Sequence, residues 1–499
     1  MLWVELLNTY TPLYAYRLPQ YDWAKQSYDA ALLYKQFSLS ADNALKQIIL
    51  KSDDKRLIGK LDELNSTRQL FDKASEAEMD SLSRRIKQLE SQLLVDVKRY
   101  GDIGEEMKTS WMEVSKVLAY NDVAIEFTSC LEEDGSCHYM ANIIKNGNVK
   151  NVYLCSDEDI LKASDPYMTK SGYNLIWLPL EEDLSNAQDI YFSATDRLHQ
   201  IGIEYFPINA SGTLLSDAYN VHRLSSTREL IVKYPKDVSN NAFLYGGIEY
   251  ELKGNNDTDK KDAHVMRDVP DVGDYMRSGI SYLPGTKEEV ENINALLKNE
   301  NIKVKIYEGV NATEESLKGL SSVPTRILHI ATHGFYNPKG RRTKFDVLFK
   351  NATKYSSLED LSMNRSGLLM AGAGNSINGL PKTGSEDGVL TSKEISSLDF
   401  THLDLAVLSA CETALGEIGS EGVFGLQRAF KKAGAHTLLM SLKKVDDNAT
   451  KILMTYFYKN LTSMNKLKAF RAAQKQLREA EGGMYDKPEY WASFIILDD

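Results

Sequence analysis

Two stretches of this chain restrict its fold more than any other feature. Residues 326–335 read RILHIATHGF and residues 403–416 read LDLAVLSACETALG. Each is a run of strand-forming, largely apolar residues, the pattern of strands in a parallel sheet buried on both faces. Each also ends abruptly on a reactive side chain, His333 in the first and Cys411 in the second. In α/β proteins, ligands and chemistry gather where parallel strands end at their carboxyl edge. If these two strands are neighbours, an imidazole and a thiol converge there, which is the minimal apparatus of a cysteine hydrolase.

The surrounding pattern supports such a sheet. Strands are predicted at 242–246, 302–308, 326–331, 367–371, 403–409, 436–442 and 492–497. Helices are predicted between them at 286–299, 314–320, 392–398, 421–432, 448–461 and 467–480. This alternation predicts the α/β class, with a mostly parallel sheet covered on both faces. Shorter strands are expected earlier, at 123–127, 138–144, 149–155, 189–193 and 201–206, with KNGN at 145–148 as a hairpin turn. Three polar stretches, 253–272, 337–365 and 372–387, read as long loops of the kind that bind or regulate.

Residues 1–118 read as helical throughout. Leu82, Ile86, Leu89, Leu93 and Val97 form an apolar seam on a charged background, which suits an antiparallel helical hairpin or short coiled coil with 55–77 as the partner arm. Three regions follow: a helical region 1–118, a small β-rich or α/β subdomain 119–225, and an α/β core 226–499. No internal repeat of solenoid period is evident in the helices.

A chain of 499 residues with net charge −11 is long enough for several cores and has no overall affinity for nucleic acid or anionic membrane. Its four cysteines, Cys130, Cys137, Cys155 and Cys411, are too scattered for a disulfide framework and contain no CxxC pair, so neither disulfides nor a zinc site is expected. No signal-like or membrane-length segment opens the sequence, and a cytoplasmic protein is expected. The chemistry calls for no cofactor and no metal.

Cys411 differs from the other cysteines because its strand stops at Ala410 and helix-starting residues follow. A neighbouring imidazole would favour its thiolate. Gly334, after His333, allows close approach of a substrate, and its N–H together with that of Cys411 suits an oxyanion. His329 reads as a core histidine with a satisfied hydrogen bond, and His402 and His436 are runner-up bases. In residues 441–450, SLKKVDDNAT, a strand ends and Asp446 and Asp447 open a helix. They suit N-capping, and equally a carboxylate that recognises a basic side chain. A bound peptide is expected to lie as an extended strand beside 365–371 or 441–442.

The segments HIATHGF, DGVLTSKEISSL, LSACETALGE, SEGVFGLQRAF and PEYWASFIIL, in this order, resemble the CHAT domain, from about residue 175 to 499. These are caspase- and separase-related cysteine peptidases of clan CD, commonly preceded by tetratricopeptide helices. The resemblance implies a caspase-like α/β/α sandwich with His333 as base and Cys411 as nucleophile. It also implies a basic specificity pocket whose acid falls on Asp447, or on Asp446, with Ser441 and Lys443 beside it. Relatives usually carry Trp where this chain has Lys443, which implies an altered pocket. The function expected is a cysteine endopeptidase acting on protein substrates, with cleavage after a basic residue. The alternative is a catalytically weak or inactive CHAT scaffold in a signalling or defence assembly. A regulatory protein partner would engage the N-terminal helices, and no nucleic-acid or membrane partner is expected.

Overall fold

The computed structural model describes residues 2–35, 45–46, 48–49, 52–73, 76–101, 109–132, 134–163, 169–232, 239–252, 266–267, 280–337, 362–378, 380, 384–410, 416–419 and 422–498. Among these, eleven strands share one sheet. They are β1 (Val123–Leu131), β2 (Cys137–Lys145), β3 (Asn148–Ser156), β4 (Asp189–Ser193), β5 (Asn220–Leu224), β6 (Asn241–Ile248), β7 (Lys303–Gly309), β8 (Ile327–Ala331), β9 (Leu405–Ser409), β10 (Thr437–Ser441) and β11 (Phe494–Leu497). Their spatial order is β3-β2-β1-β4-β5-β11-β10-β9-β8-β6-β7. Seven of the ten neighbouring pairs in this described sheet are parallel. The exceptions are the β1–β2 and β2–β3 pairs and the β10–β11 pair.

The β10–β11 reversal divides the sheet into two halves that run in opposite directions. Strands β6 to β10 end on one edge, and β4, β5 and β11 end on the other. Each half has its own apolar core. One gathers around Ile327, Leu328, Ile330, Val407 and Leu439. The other gathers around Phe127, Trp177 and Phe192, whose rings meet edge to face. Residues 119–225 contribute five strands to this single sheet.

The helices that matter are α1 (Leu2–Arg17), α2 (Ala24–Tyr34), α3 (Lys55–Lys73), α4 (Glu76–Val97), α5 (Pro284–Asn299), α6 (Ser392–Ser396), α7 (Leu426–Ala433), α8 (Asp447–Leu461) and α9 (Lys466–Glu479). Right-handed crossovers between parallel strands place α5 on one face and α6 and α7 on the other. Helices α8 and α9 pack together beside α5, and α6 packs on α7. The result is the three-layer α/β/α sandwich expected. Helix α5 forms because Val290, Ile293 and Leu297 recur at helical spacing and are buried, while Lys287, Glu291 and Lys298 take the other positions. In the N-terminal region α3 and α4 make the expected hairpin, with Leu57 and Leu64 against Leu89, Leu93 and Val97.

Several elements differ from expectation. Residues 201–206 form a short 3-10 turn, Ile203–Tyr205, rather than a strand. The Ile203 carbonyl accepts the Trp177 indole N–H and the Tyr205 hydroxyl donates to the Phe494 carbonyl, so tertiary partners replace a ladder. The helix expected from residue 421 begins at Leu426, because Gly422–Gly425 pairs with Gly416–Gly419 as a small hairpin. Four glycines in that hairpin disfavour helix. The strand expected at 367–371 is Ser366–Leu369, and it lies in a separate three-stranded sheet between Gly334–Tyr336 and Val389–Thr391. Within the loop expected at 372–387 lies a one-turn helix, Ala373–Ile377. Most of the loops expected at 253–272 and 337–365 lies outside the described residues, although Met266–Arg267 pairs with Val445–Asp446.

Candidate active site

His333 sits just beyond the carboxyl end of β8, where the chain turns into the strand Gly334–Tyr336. It is 1% exposed, and its position is held at three points. Its backbone carbonyl accepts the Leu369 N–H at 2.9 Å, and its N–H donates to the Tyr250 hydroxyl at 3.3 Å. Its Nε2 lies 2.8 Å from the Ser281 backbone carbonyl. A carbonyl only accepts, so Nε2 carries the proton, and the neutral ring presents Nδ1 as its basic nitrogen. The tautomer follows from this partner.

A hydroxyl chain reinforces the turn. The Thr332 hydroxyl donates to the Leu369 carbonyl, which leaves its oxygen to accept from Tyr250, 2.9 Å away. The Tyr250 ring lies 5.0 Å from the His333 ring, centre to centre. Tyr250 follows the end of β6, so it reaches His333 from the same sheet edge. The antiparallel pairing of 334–336 with 366–368 also orients Gly334. His333 and Asn337 make ladder bonds to Leu369 and Arg365, and backbone groups alternate along a strand. The Gly334 N–H therefore points away from that neighbouring strand.

Cys411 lies outside the described residues. The strand leading to it is β9, buried throughout and paired in parallel with β8 in the register Ser409 to Ala331. The Ser441 hydroxyl donates to the Ala410 carbonyl at 2.5 Å, so Ser441 supports the last described residue before the cysteine. Asp446 is the N-cap of α8 and accepts the Ala449 N–H at 2.8 Å. Asp447 is 7% exposed, and its Oδ2 accepts the Gly285 N–H at 2.9 Å. Lys443 is half-buried.

The other histidines separate cleanly. His329 is fully buried, with Nε2 2.9 Å from Glu289 Oε1 and Nδ1 3.2 Å from the Tyr458 hydroxyl. It is the satisfied core histidine expected. His436 and His402 precede β10 and β9, at the amino edge of those strands, so they are removed from His333 by the length of the sheet. His436 Nε2 donates to the Thr401 carbonyl at 3.0 Å, and burial together with Lys431 pushes its pKa down to about 4. Neither runner-up stands at the site.

The two stretches expected to carry a peptide are already paired. Ser366–Leu369 has a strand on each side, as does Ser441 in β10, and the Leu442 N–H donates to Ser493. Among the described residues one group of acids, Glu314, Glu386 and Glu394, is close enough to hold a metal ion. Lys318 Nζ lies among them, 2.6, 3.3 and 2.8 Å from the three carboxylates, so a cation of the chain itself already sits in the cluster. The Ser281 carbonyl and Tyr250 were missed from sequence. A backbone carbonyl has no side-chain signature, whereas Tyr250 could have been found from its place beyond a strand end.

Residues 171–499 match the family model of the CHAT domain, and the chain belongs to that family. It is also similar to tetratricopeptide repeat protein 28 of Homo sapiens, 30% identical over 128 residues. That match covers 26% of this chain and 5% of the relative. The mouse protein of the same name matches at 30% over 110 residues, covering 22% of this chain and 4% of the relative. The chain thus spans a small part of these relatives. Among solved structures, the Arg-specific cysteine proteinase gingipain R superposes with a TM-score of 0.37 at 8% identity, covering 64% of this chain and 65% of that one. The separase–securin complex of Saccharomyces cerevisiae gives 0.32 at 11%, covering 65% and 17%. The family assignment rests on the match over 171–499.

Among the described residues no helix is long and apolar enough to cross a membrane.

Proposed function

We propose that this protein is a cysteine endopeptidase in which Cys411 attacks a peptide carbonyl and His333 serves as base and then acid. The observation that carries the reading is the register of β8 and β9. Ser409 pairs with Ala331, and Cys411 and His333 each follow their paired residue by two positions in the chain. With Nε2–H committed to Ser281, Nδ1 is the nitrogen that would take the thiol proton. It would then deliver that proton to the leaving amine as the acyl-enzyme forms. Water, deprotonated by the same nitrogen, would cleave the thioester. The N–H groups of Gly334 and Cys411 would receive the oxyanion.

For specificity we propose cleavage after a basic residue. Asp446 is half-buried, whereas Asp447 is buried against Gly285, so Asp446 is the acid better placed to meet a guanidinium beside Lys443. The substrates are proteins, and the unpaired thiols of Cys130, Cys137 and Cys155 suit a reducing, cytoplasmic setting. The test is to treat wild type, Cys411→Ala and His333→Ala with an arginyl acyloxymethyl ketone and a peptide library. Label on Cys411, lost with His333→Ala, together with cleavage after Arg supports the reading. Absence of both in well-folded wild type favours the scaffold alternative.

A further inference from the structure

The carbonyl that sets the His333 tautomer belongs to Ser281, three residues before α5. The start of α5 is itself fastened at three buried points. Gly285, its second residue, donates its N–H to Asp447 Oδ2, 2.9 Å away across the gap to α8. The Thr286 hydroxyl donates to the Leu283 carbonyl and accepts the Gly247 N–H, tying the helix to the end of β6. One turn further on, Glu289 is paired with His329, which leans on Tyr458 of α8. All three attachments meet strands or helices that end at, or pass beneath, the same sheet edge as His333.

We propose that Asp447 is a positioning residue. By clamping the Gly285 amide it sets the height of the α5 start, and so places the Ser281 carbonyl that holds His333 in its Nε2–H form. This deepens the peptidase reading and rests on it. It differs from the role that the family resemblance implies for an acid at this position, which is to meet a basic substrate side chain. The contact is close: a Cβ on Gly285 would come within 2.0 Å of Asp447 Oδ2. Glycine is required here by that approach, because the carboxylate occupies the space a side chain would need.

The two roles make opposite demands on the side chain. A substrate acid needs its negative charge. A clamp needs an oxygen acceptor, which asparagine also has. The test uses the full chain and measures two quantities for Asp447→Ala, Asp447→Asn and Gly285→Ala: the rate of iodoacetamide alkylation at Cys411, and kcat and KM for matched peptides with Arg or a neutral residue before the cut. The expected result is at least a tenfold fall in alkylation and in kcat for Asp447→Ala. KM should stay within threefold, the loss should be the same for both peptides, and Asp447→Asn should recover most of it. Gly285→Ala should reproduce the loss without adding to that of Asp447→Ala, since both break one contact. If Asp447→Ala fails to fold, Gly285→Ala and Asp447→Asn carry the test. Unchanged alkylation in the folded variants, with a rise in KM confined to the Arg peptide that Asp447→Asn shares, overturns the inference. A wild type whose Cys411 alkylation is indifferent to His333→Ala overturns instead the peptidase reading beneath it.

Discussion

The two halves of the sheet use the same architecture to opposite ends. In both, parallel strands finish at a carboxyl edge and polar residues collect there. At the edge of β4, β5 and β11 these residues satisfy one another. Lys35 Nζ reaches Glu126 Oε2 at 2.7 Å and the Ser193 carbonyl at 2.9 Å, while Glu126 Oε1 accepts from Ser226 and Thr227. Asp498 takes both the N–H and the hydroxyl of Ser225, and Lys431 approaches it to 3.0 Å. That edge is closed by charge pairing, and Lys35, at the end of α2, uses it to fasten the N-terminal helices. At the edge of β6 to β10, His333 is held differently. Its ring is bound by a backbone carbonyl, which fixes the tautomer without supplying a charge. A polar strand edge can become a site when backbone partners orient its groups.

Four measurements would break or sharpen this contrast. The largest effect expected is on turnover: Cys411→Ala or His333→Ala lowers peptide cleavage by at least about a thousandfold, since each removes a member of a unit. Burial pushes the thiols of Cys130, Cys137 and Cys155 up to about 11, 12 and 12. Their thiolate fractions at pH 7 are then on the order of 10⁻⁴ or less. Iodoacetamide at neutral pH should label Cys411 more than about a hundredfold faster than these three, as read by peptide mass mapping, and comparable labelling would remove the distinction.

The closed edge should answer in stability instead. Lys35→Met leaves Glu126 buried without its cation and is expected to cost about 3 kcal/mol in urea unfolding. Adding Glu126→Gln should restore part of the loss. A Lys35→Met protein as stable as wild type would show that the pair does not hold this edge together.

The smallest effect is a pH dependence at His436. Its folded pKa of about 4 lies below the ordinary histidine value near 6.5, chiefly through burial. The unfolded chain therefore takes up a proton before the folded one does, and stability is lost as pH falls from about 6.5 to about 4. Allowing for its partial exposure, the loss is about 2 kcal/mol. The difference between pH 7 and pH 4.5 should shrink by that amount in His436→Gln, and an unchanged difference would reject the assignment.

Much of this was legible in the residues. The core strands 327–331 and 405–409 could be placed to within two residues, because runs such as ILHIA and LAVLS have few other uses. The heptad-like seam of α4 announced its hairpin. His333 stood out because a histidine and a glycine ended an apolar run. Less could be read where long-range partners overrule local preference. The segment Ile203–Tyr205 looks like a strand until Trp177 and Phe494 take its polar groups. For the acidic pair at 446–447, only the fold shows which amide each carboxylate holds, that of Ala449 for Asp446 and that of Gly285 for Asp447.

The sequence by itself determined the class of sheet, the residues able to carry chemistry, and the family, since each depends on side-chain type at near-constant spacing. Only the tertiary structure decided that β9 lies beside β8 in the Ser409 to Ala331 register, that His436 is at the opposite edge, and that Ser281 reaches His333 across 52 residues of chain. Those facts are contacts between backbone groups far apart in sequence. A backbone carbonyl looks the same in every residue, so only packing can choose which one is used.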